Sequence, residues 1–311
     1  GRASCTLSPN ERYYAVETKA PSGFVANPER TYFQTGVENS TEQLIDEPGT
    51  VTLVVRKQDS ATGGAAQPGA SLEGAEFTAV DANGDAHLAV TDATGTARFE
   101  RLPLGRVQVT ETRAPAGYLP DTTVRTYHAS ATELGDADTV DLSPNDPVSE
   151  DVVAFDLELT KFADDGLDEG SGIEKPAAGV QFQIVSNTTG AVVGTIETNA
   201  SGYADTASDP NLWFGAGTRP EAAGGALPYD AAGYTIHEVE SSVPEGFSHV
   251  GDWTLSPDAM SAGAKLQYIV DNHALSARLQ VVKVDATSGL TVPLAGFSFQ
   301  ILREDGSPVT Q

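Results

Sequence analysis

The sequence predicts an all-β protein built of tandem β-sandwich domains. Short stretches alternate apolar and polar residues with period two, as in Val51, Leu53, Val55 and again in Phe155, Leu157, Leu159, while helical periodicity is nearly absent. Gly, Pro, Asn and Asp punctuate these stretches about every 8–12 residues, which is the spacing of strands in a sandwich. The 31 Gly and 18 Pro fit the same turn-rich architecture. The same elements also return in the same order at domain-sized spacing, so one structural unit is used several times.

Each unit opens on a strand that carries a lysine on its apolar side. Val51, Leu53, Val55 and Lys57 share one parity, as do Phe155, Leu157, Leu159 and Lys161, and Leu279, Val281 and Lys283. An ammonium carried inward with that face is costly unless it sheds its proton or meets a buried carboxyl or carboxamide. Next comes a Gly-x-x-Phe element, at Gly74–Phe77, Gly179–Phe182 and Gly296–Phe299. A hairpin follows, and then a Thr-x-Ala-x-Gly stretch at Thr91–Gly95 and Thr198–Gly202.

The third element is a glutamate ahead of a proline-glycine-aromatic turn: Glu17 before Pro21 and Gly23, Glu111 before Pro115 and Gly117, Glu238 before Pro244 and Gly246. Apolar neighbours in phase, such as Val107 and Val109, place each acid on the inner face. An Asn or Asp closes the unit: Asp46, Asn145 and Asn272. Glutamate and amide stand 34 residues apart at 111 to 145 and at 238 to 272, and 29 apart at 17 to 46. In the second unit Val140 and Leu142 bring Pro144 rather than Asn145 into phase, so a bulge is required or Asp141 or Asp146 takes the place. In the third, Glu240 competes with Glu238, which the in-phase Tyr234 favours.

Residues 1–49 thus hold the back half of a unit, 50–150 a second, 153–275 a third with an insertion near 212–232, and 277–311 the front of a fourth. Because the chain starts and stops inside repeats, it reads as a monomeric piece of a longer polypeptide. The 18 basic and 44 acidic residues give a net charge of −26, which argues against nucleic acid and anionic membrane as partners. No apolar run is long enough to span a bilayer. The single Cys5 reads as an inert strand residue and leaves no internal disulfide.

The strand lysine, the Ala-Gly-x-x-Phe elements at Ala178-Gly179 and Ala295-Gly296, the Glu-Thr-x-Ala-Pro-x-Gly-aromatic box at Glu111 and its counterpart at Glu17, and the closing Asn or Asp resemble the Cna B-type, or SpaA-like, repeats of Gram-positive surface adhesins and pilins. The resemblance implies immunoglobulin-like (prealbumin-like) sandwiches on the outside of the cell or in its wall. It also implies an intramolecular isopeptide bond between the lysine amine and the Asn or Asp side chain, promoted by the glutamic acid. Carried over, it pairs Lys57 with Asn145 through Glu111, and Lys161 with Asn272 through Glu238. Glu17, Asp46 and Lys283 are left without their partners.

On this reading the chain is a structural stalk segment, not an enzyme, with no cofactor and no metal. A host glycan or matrix protein would be met by other parts of the polypeptide. Two other classes remain: a ligand-binding adhesin module using Trp213, Phe214 and Tyr229 in the insertion, and an accessory region of a carbohydrate-active enzyme, for which no paired-carboxylate cleft is identifiable. The stretch Leu119-Pro120-Asp121-Thr122-Thr123 looks like a sorting motif but stands inside a unit. The acidic stretch 164–169 lacks the ligand alternation of a calcium loop, and the five histidines are dispersed.

Overall fold

The computed structural model describes residues 1–38, 41–135, 137–163, 175–221, 223–275, 279–293 and 295–309. The acidic stretch 164–169 lies outside them. The chain divides into two compact units, Gly1–Ala274 and Leu275–Gln311.

Within the first unit stand two sandwiches, each with its own core. In one, Thr50–Asp59 runs parallel to Thr139–Leu142 and Val148–Glu150 and antiparallel to Thr96–Pro103. The facing sheet runs in the order Arg125–Ala129, Gly105–Arg113, Glu76–Val80, Ala86–Val90. Val51, Leu53 and Val55 from one sheet meet Phe77, Val107 and Val109 from the other, all buried. The period-two pattern is what aims them at each other.

The second sandwich repeats this plan. Ala154–Ala163 lies parallel to Lys265–Asn272 and antiparallel to Tyr203–Asp205. Its facing sheet is Val192–Glu197, Gln181–Ser186, Tyr234–Glu238, Trp253–Leu255. Phe155, Leu157 and Leu159 pack against Phe182, Ile184 and Ile236. In both sandwiches the strand with the lysine and the strand that ends the unit are therefore parallel neighbours, although nearly the whole unit separates them in sequence.

Among the described residues the one α-helix is Ala131–Leu134, where Ser130 and Glu133 form a capping box. No helix of the described residues is long and apolar enough to cross a membrane. In residues 1–49, Arg12–Ala15 pairs with Thr31–Gln34, and Phe24–Val25 pairs with Glu47–Pro48. Cys5 is exposed ahead of the first of these strands, not within one.

The inward lysine strand expected around Lys283 is not formed. Pairing among the described residues of Leu275–Gln311 is limited to isolated bridges such as Val284 with Thr291. Leu279 is 68% exposed and Lys283 is exposed too, since among the described residues of this unit no second sheet covers that face. The Lys283 ammonium stands 5.5 Å from the Phe297 ring centroid.

Truncating the buried Phe182 by Phe182→Ala is expected to lower unfolding stability by about 3–5 kcal/mol in urea denaturation. Leu88, 65% exposed on an outer face, should tolerate Leu88→Ala within about 0.5 kcal/mol.

Candidate functional site

Every repeated motif converges on the lysine. The Lys57 N–H donates to the Gly95 carbonyl at 2.9 Å, and the Lys161 N–H to the Gly202 carbonyl at 2.7 Å, so the last glycine of each Thr-x-Ala-x-Gly stretch anchors the lysine backbone. At Gly202 the approach is so close that a Cβ would lie 2.3 Å from the Lys161 carbonyl oxygen. The threonine of the same stretch ties down the Gly-x-x-Phe turn. The Ala75 N–H donates to Thr91 Oγ1 at 2.9 Å, and the Val180 N–H to Thr198 Oγ1 at 3.0 Å. The phenylalanine that follows lies directly across the sheet from the glutamate: Phe77 opposite Glu111, Phe182 opposite Glu238. All four are buried, so a wall of ring keeps water from the acid.

The glutamate is aimed by its own turn. Past the proline-glycine-aromatic corner the chain returns a backbone N–H to the second carboxyl oxygen, from Asn27 to Glu17, from Asp121 to Glu111 and from Val250 to Glu238, at 2.9, 2.9 and 2.7 Å. Asp121 of the sorting-like stretch is thus a positioning group for Glu111, and it also pairs with Arg125 at 2.7 Å.

In the 153–275 sandwich the three expected residues meet. Lys161 Nζ lies 3.2 Å from Glu238 Oε1. Asn272 Nδ2 donates to Glu238 Oε2 at 2.9 Å and to the Ser248 carbonyl at 2.6 Å. Both partners can only accept there, which fixes which way the carboxamide faces. Lys161, Glu238 and Asn272 are fully buried, and Asn272 Oδ1 has no hydrogen-bond partner among the described residues. Glu240 is exposed in a short 3₁₀ turn and is not part of the site.

The 50–150 sandwich corrects the expectation. Asn145 and Asp146 are exposed in a bend, and Asp141 is exposed within the strand Thr139–Leu142. Lys57 Nζ is instead bracketed by Glu111 Oε1 and by Glu150 Oε1, with all three side chains buried. Register gives Glu150 the place of Asn272. Val148 pairs with Lys57 and Glu150 follows two residues on; Val270 pairs with Lys161 and Asn272 follows two residues on. Two residues further again, Val152 bridges Tyr118 and Ala274 bridges Phe247, each aromatic coming from the glutamate's turn. In residues 1–49 the matching bridge is Phe24 to Pro48, and two residues earlier stands Asp46.

A sequence signal for Glu150 exists. From Asp46, Glu150 and Asn272 to the next lysine the chain runs 11 residues in all three cases, 46 to 57, 150 to 161 and 272 to 283. Asn145 breaks that spacing.

Burial holds Lys57 below the ordinary lysine range, against the pull of its bond to Glu111. Lys161 is likewise lowered by burial, with Glu238 acting the other way. Loss of the amine proton exposes a nucleophilic lone pair beside an acyl group and a carboxyl able to relay protons. Among the described residues no group of three or more His, Cys, Asp or Glu could hold a metal ion.

Residues 52–142 match the family model of the SpaA prealbumin-like fold domain. The Lys57 site falls within these matched residues except for Glu150, eight residues past their end. No curated protein matched the sequence. Among solved structures, the TIE protein of Bacillus anthracis is 23% identical with a TM-score of 0.55, covering 84% of this chain and 41% of that one. The chain therefore spans about two fifths of that protein's length, and the likeness shows a shared fold. The C-terminal fragment of the pilus adhesin SpaC from Lactobacillus rhamnosus GG is 13% identical with a TM-score of 0.41, covering 74% and 100%. The minor pilin GBS52 of Streptococcus agalactiae is 14% identical with a TM-score of 0.32, covering 75% and 100%.

A lysine whose folded pKa is depressed binds fewer protons folded than unfolded, so its penalty shrinks as pH rises toward the unfolded value. With the acceptor removed by Asn272→Ala, the free Lys161 is expected to destabilise the fold at neutral pH relative to Asn272→Ala/Lys161→Met. The gap between the two variants in urea denaturation should close as pH approaches about 10; a gap independent of pH would refute the buried-amine assignment.

Proposed function

We propose that the chain is a stalk segment of a Gram-positive surface adhesin or pilin, whose sandwiches at 50–150 and 153–275 are each stapled by one intramolecular isopeptide bond. The observation that carries this reading is the shared placement of lysine, glutamate and acyl acceptor in both sandwiches, on the parallel pair formed by first and last strands. In the 153–275 sandwich the Lys161 amine attacks the Asn272 carboxamide carbon, Glu238 relays the protons, and ammonia leaves. In the 50–150 sandwich the acceptor is Glu150, and the same attack through Glu111 expels water. Either bond ties residues on the order of 100 apart, for which the chain-entropy account of cross-links gives roughly 4–5 kcal/mol.

The reaction runs once per domain and consumes its own residues, which is support for a mechanical role over turnover. A β-sandwich stalk on the cell surface also needs no oxidant for such ties. The adhesin-module reading of the 212–232 insertion loses its footing, because Trp213 and Tyr229 pack against Leu72 and Tyr118 of the neighbouring sandwich and Val152 of the connection.

Intact mass of the full chain is expected to fall short of the sequence mass by one ammonia plus one water. Glu238→Ala should abolish the ammonia loss alone, and Asn145→Ala should change neither loss. Glu150→Gln should convert the water loss into a second ammonia loss. An unmodified mass would reduce both sites to hydrogen-bonded ion pairs and end the covalent reading.

A further inference from the structure

The insertion of the 153–275 sandwich lies against the 50–150 sandwich, and its contacts have the character of a built joint. Trp213 and Tyr229 pack on the buried trio Leu72, Tyr118 and Val152. Gln67, itself buried, reads the peptide of Ala216 from both sides: its Oε1 accepts the Ala216 N–H at 2.7 Å and its Nε2 donates to the Ala216 carbonyl at 3.2 Å. The same Nε2 donates to Asp59 Oδ1 at 3.1 Å, while the Tyr118 hydroxyl donates to Asp59 Oδ2 at 2.9 Å and accepts the Gln67 N–H at 3.1 Å. Asp59 is fully buried, and this network orients the carboxamide so that it faces residue 216 in one sense only.

Backbone bonds flank the network. The Thr218 N–H donates to Ala61 O at 2.9 Å, the Ala231 N–H to Gly69 O at 2.8 Å and the Tyr229 N–H to Val153 O at 2.8 Å. At Gly117, where φ is +84°, an added Cβ would stand 2.2 Å from the Tyr229 ring, so the turn glycine is also the seat of that ring. Of the connection between the sandwiches, Val152 is buried and the Val153 N–H donates to Gly117 O at 2.7 Å, leaving no free linker.

We propose that residues 212–221 and 223–232 form an interdomain clasp, with Trp213 and Tyr229 as its apolar seat and the Asp59–Gln67–Ala216 network as its latch, which makes the two sandwiches move as one body. The inference stands apart from the covalent ties, which lie inside each sandwich.

The test uses the full chain with Cys5→Ser and nitroxide labels at Glu100→Cys and Asn199→Cys, read by pulsed electron spin resonance. The parent should give one narrow interspin distance. Gln67→Glu removes the donor to Ala216 and Asp59 and sets a second carboxylate beside Asp59, so the single peak should be lost at neutral pH. Trp213→Ala should also lose it. The deficit of intact mass from each variant's own sequence mass, read in parallel, should be the same in parent and variants, so that failure of the clasp and failure of the ties are told apart. A broad parent distribution, or a parent-like narrow peak in Gln67→Glu, would overturn the proposal; Gln67→Glu decides alone if Trp213→Ala does not fold.

Discussion

The constraint on which the rest of the structure depends is the burial of a lysine amine between two sheets. An ammonium there forfeits its hydration, and a carboxylate partner recovers that cost only when the geometry is well satisfied. The sequence spends three separate motifs on the geometry. The phenylalanine of Gly-x-x-Phe covers the acid, the threonine and glycine of Thr-x-Ala-x-Gly hold the turn and the lysine backbone, and the proline-glycine-aromatic corner returns an N–H to the carboxyl. None of these is needed to bury apolar surface alone. They are the cost of placing a base, an acid and an acyl group in one dry pocket.

The two pockets solve this differently. At Lys161 the third group is the Asn272 carboxamide, so one amine faces one acid. At Lys57 one amine faces two acids, Glu111 and Glu150. Burial works against the charged amine in both pockets, while the neighbouring glutamate acts the other way.

Much of this was legible in the residues. Period-two parity placed Lys57, Lys161, Glu111 and Glu238 on the core face, and the structure puts each of them there. Glu150 escaped because the closing strand of its unit is broken around Pro144 and Pro147. Leu142 pairs with Leu53 and Val148 with Lys57, so six residues on one strand answer four on the other. Counting forward from Glu111 crosses that break; counting back from Lys161 does not. The insertion was illegible for another reason: whether Trp213 faces a ligand or a neighbouring sandwich depends on contacts with Leu72 and Gln67, about 140 residues away, for which a single sequence carries no pattern. Lys283 shows the converse limit, since parity marks an inner face only where a second sheet is present to cover it.

Tension along such a chain would enter a sandwich through its first strand and leave through its last, and in both sandwiches these strands are parallel neighbours. Hydrogen bonds between them would be loaded in shear along their whole length. A single amide from Lys57 to Glu150, or from Lys161 to Asn272, would bypass every one of them. The 11 residues from Glu150 to Lys161 would then carry the load from one tie to the next. That stretch is bonded to both sandwiches, through Asp151 O to the Leu119 N–H at 3.0 Å and through Val153 O to the Tyr229 N–H at 2.8 Å. Covalent ties inside the sandwiches would fix their lengths but would leave the angle between them open. The Tyr229 ring over Gly117 and the Gln67 grip on Ala216 are the contacts that bear on that angle.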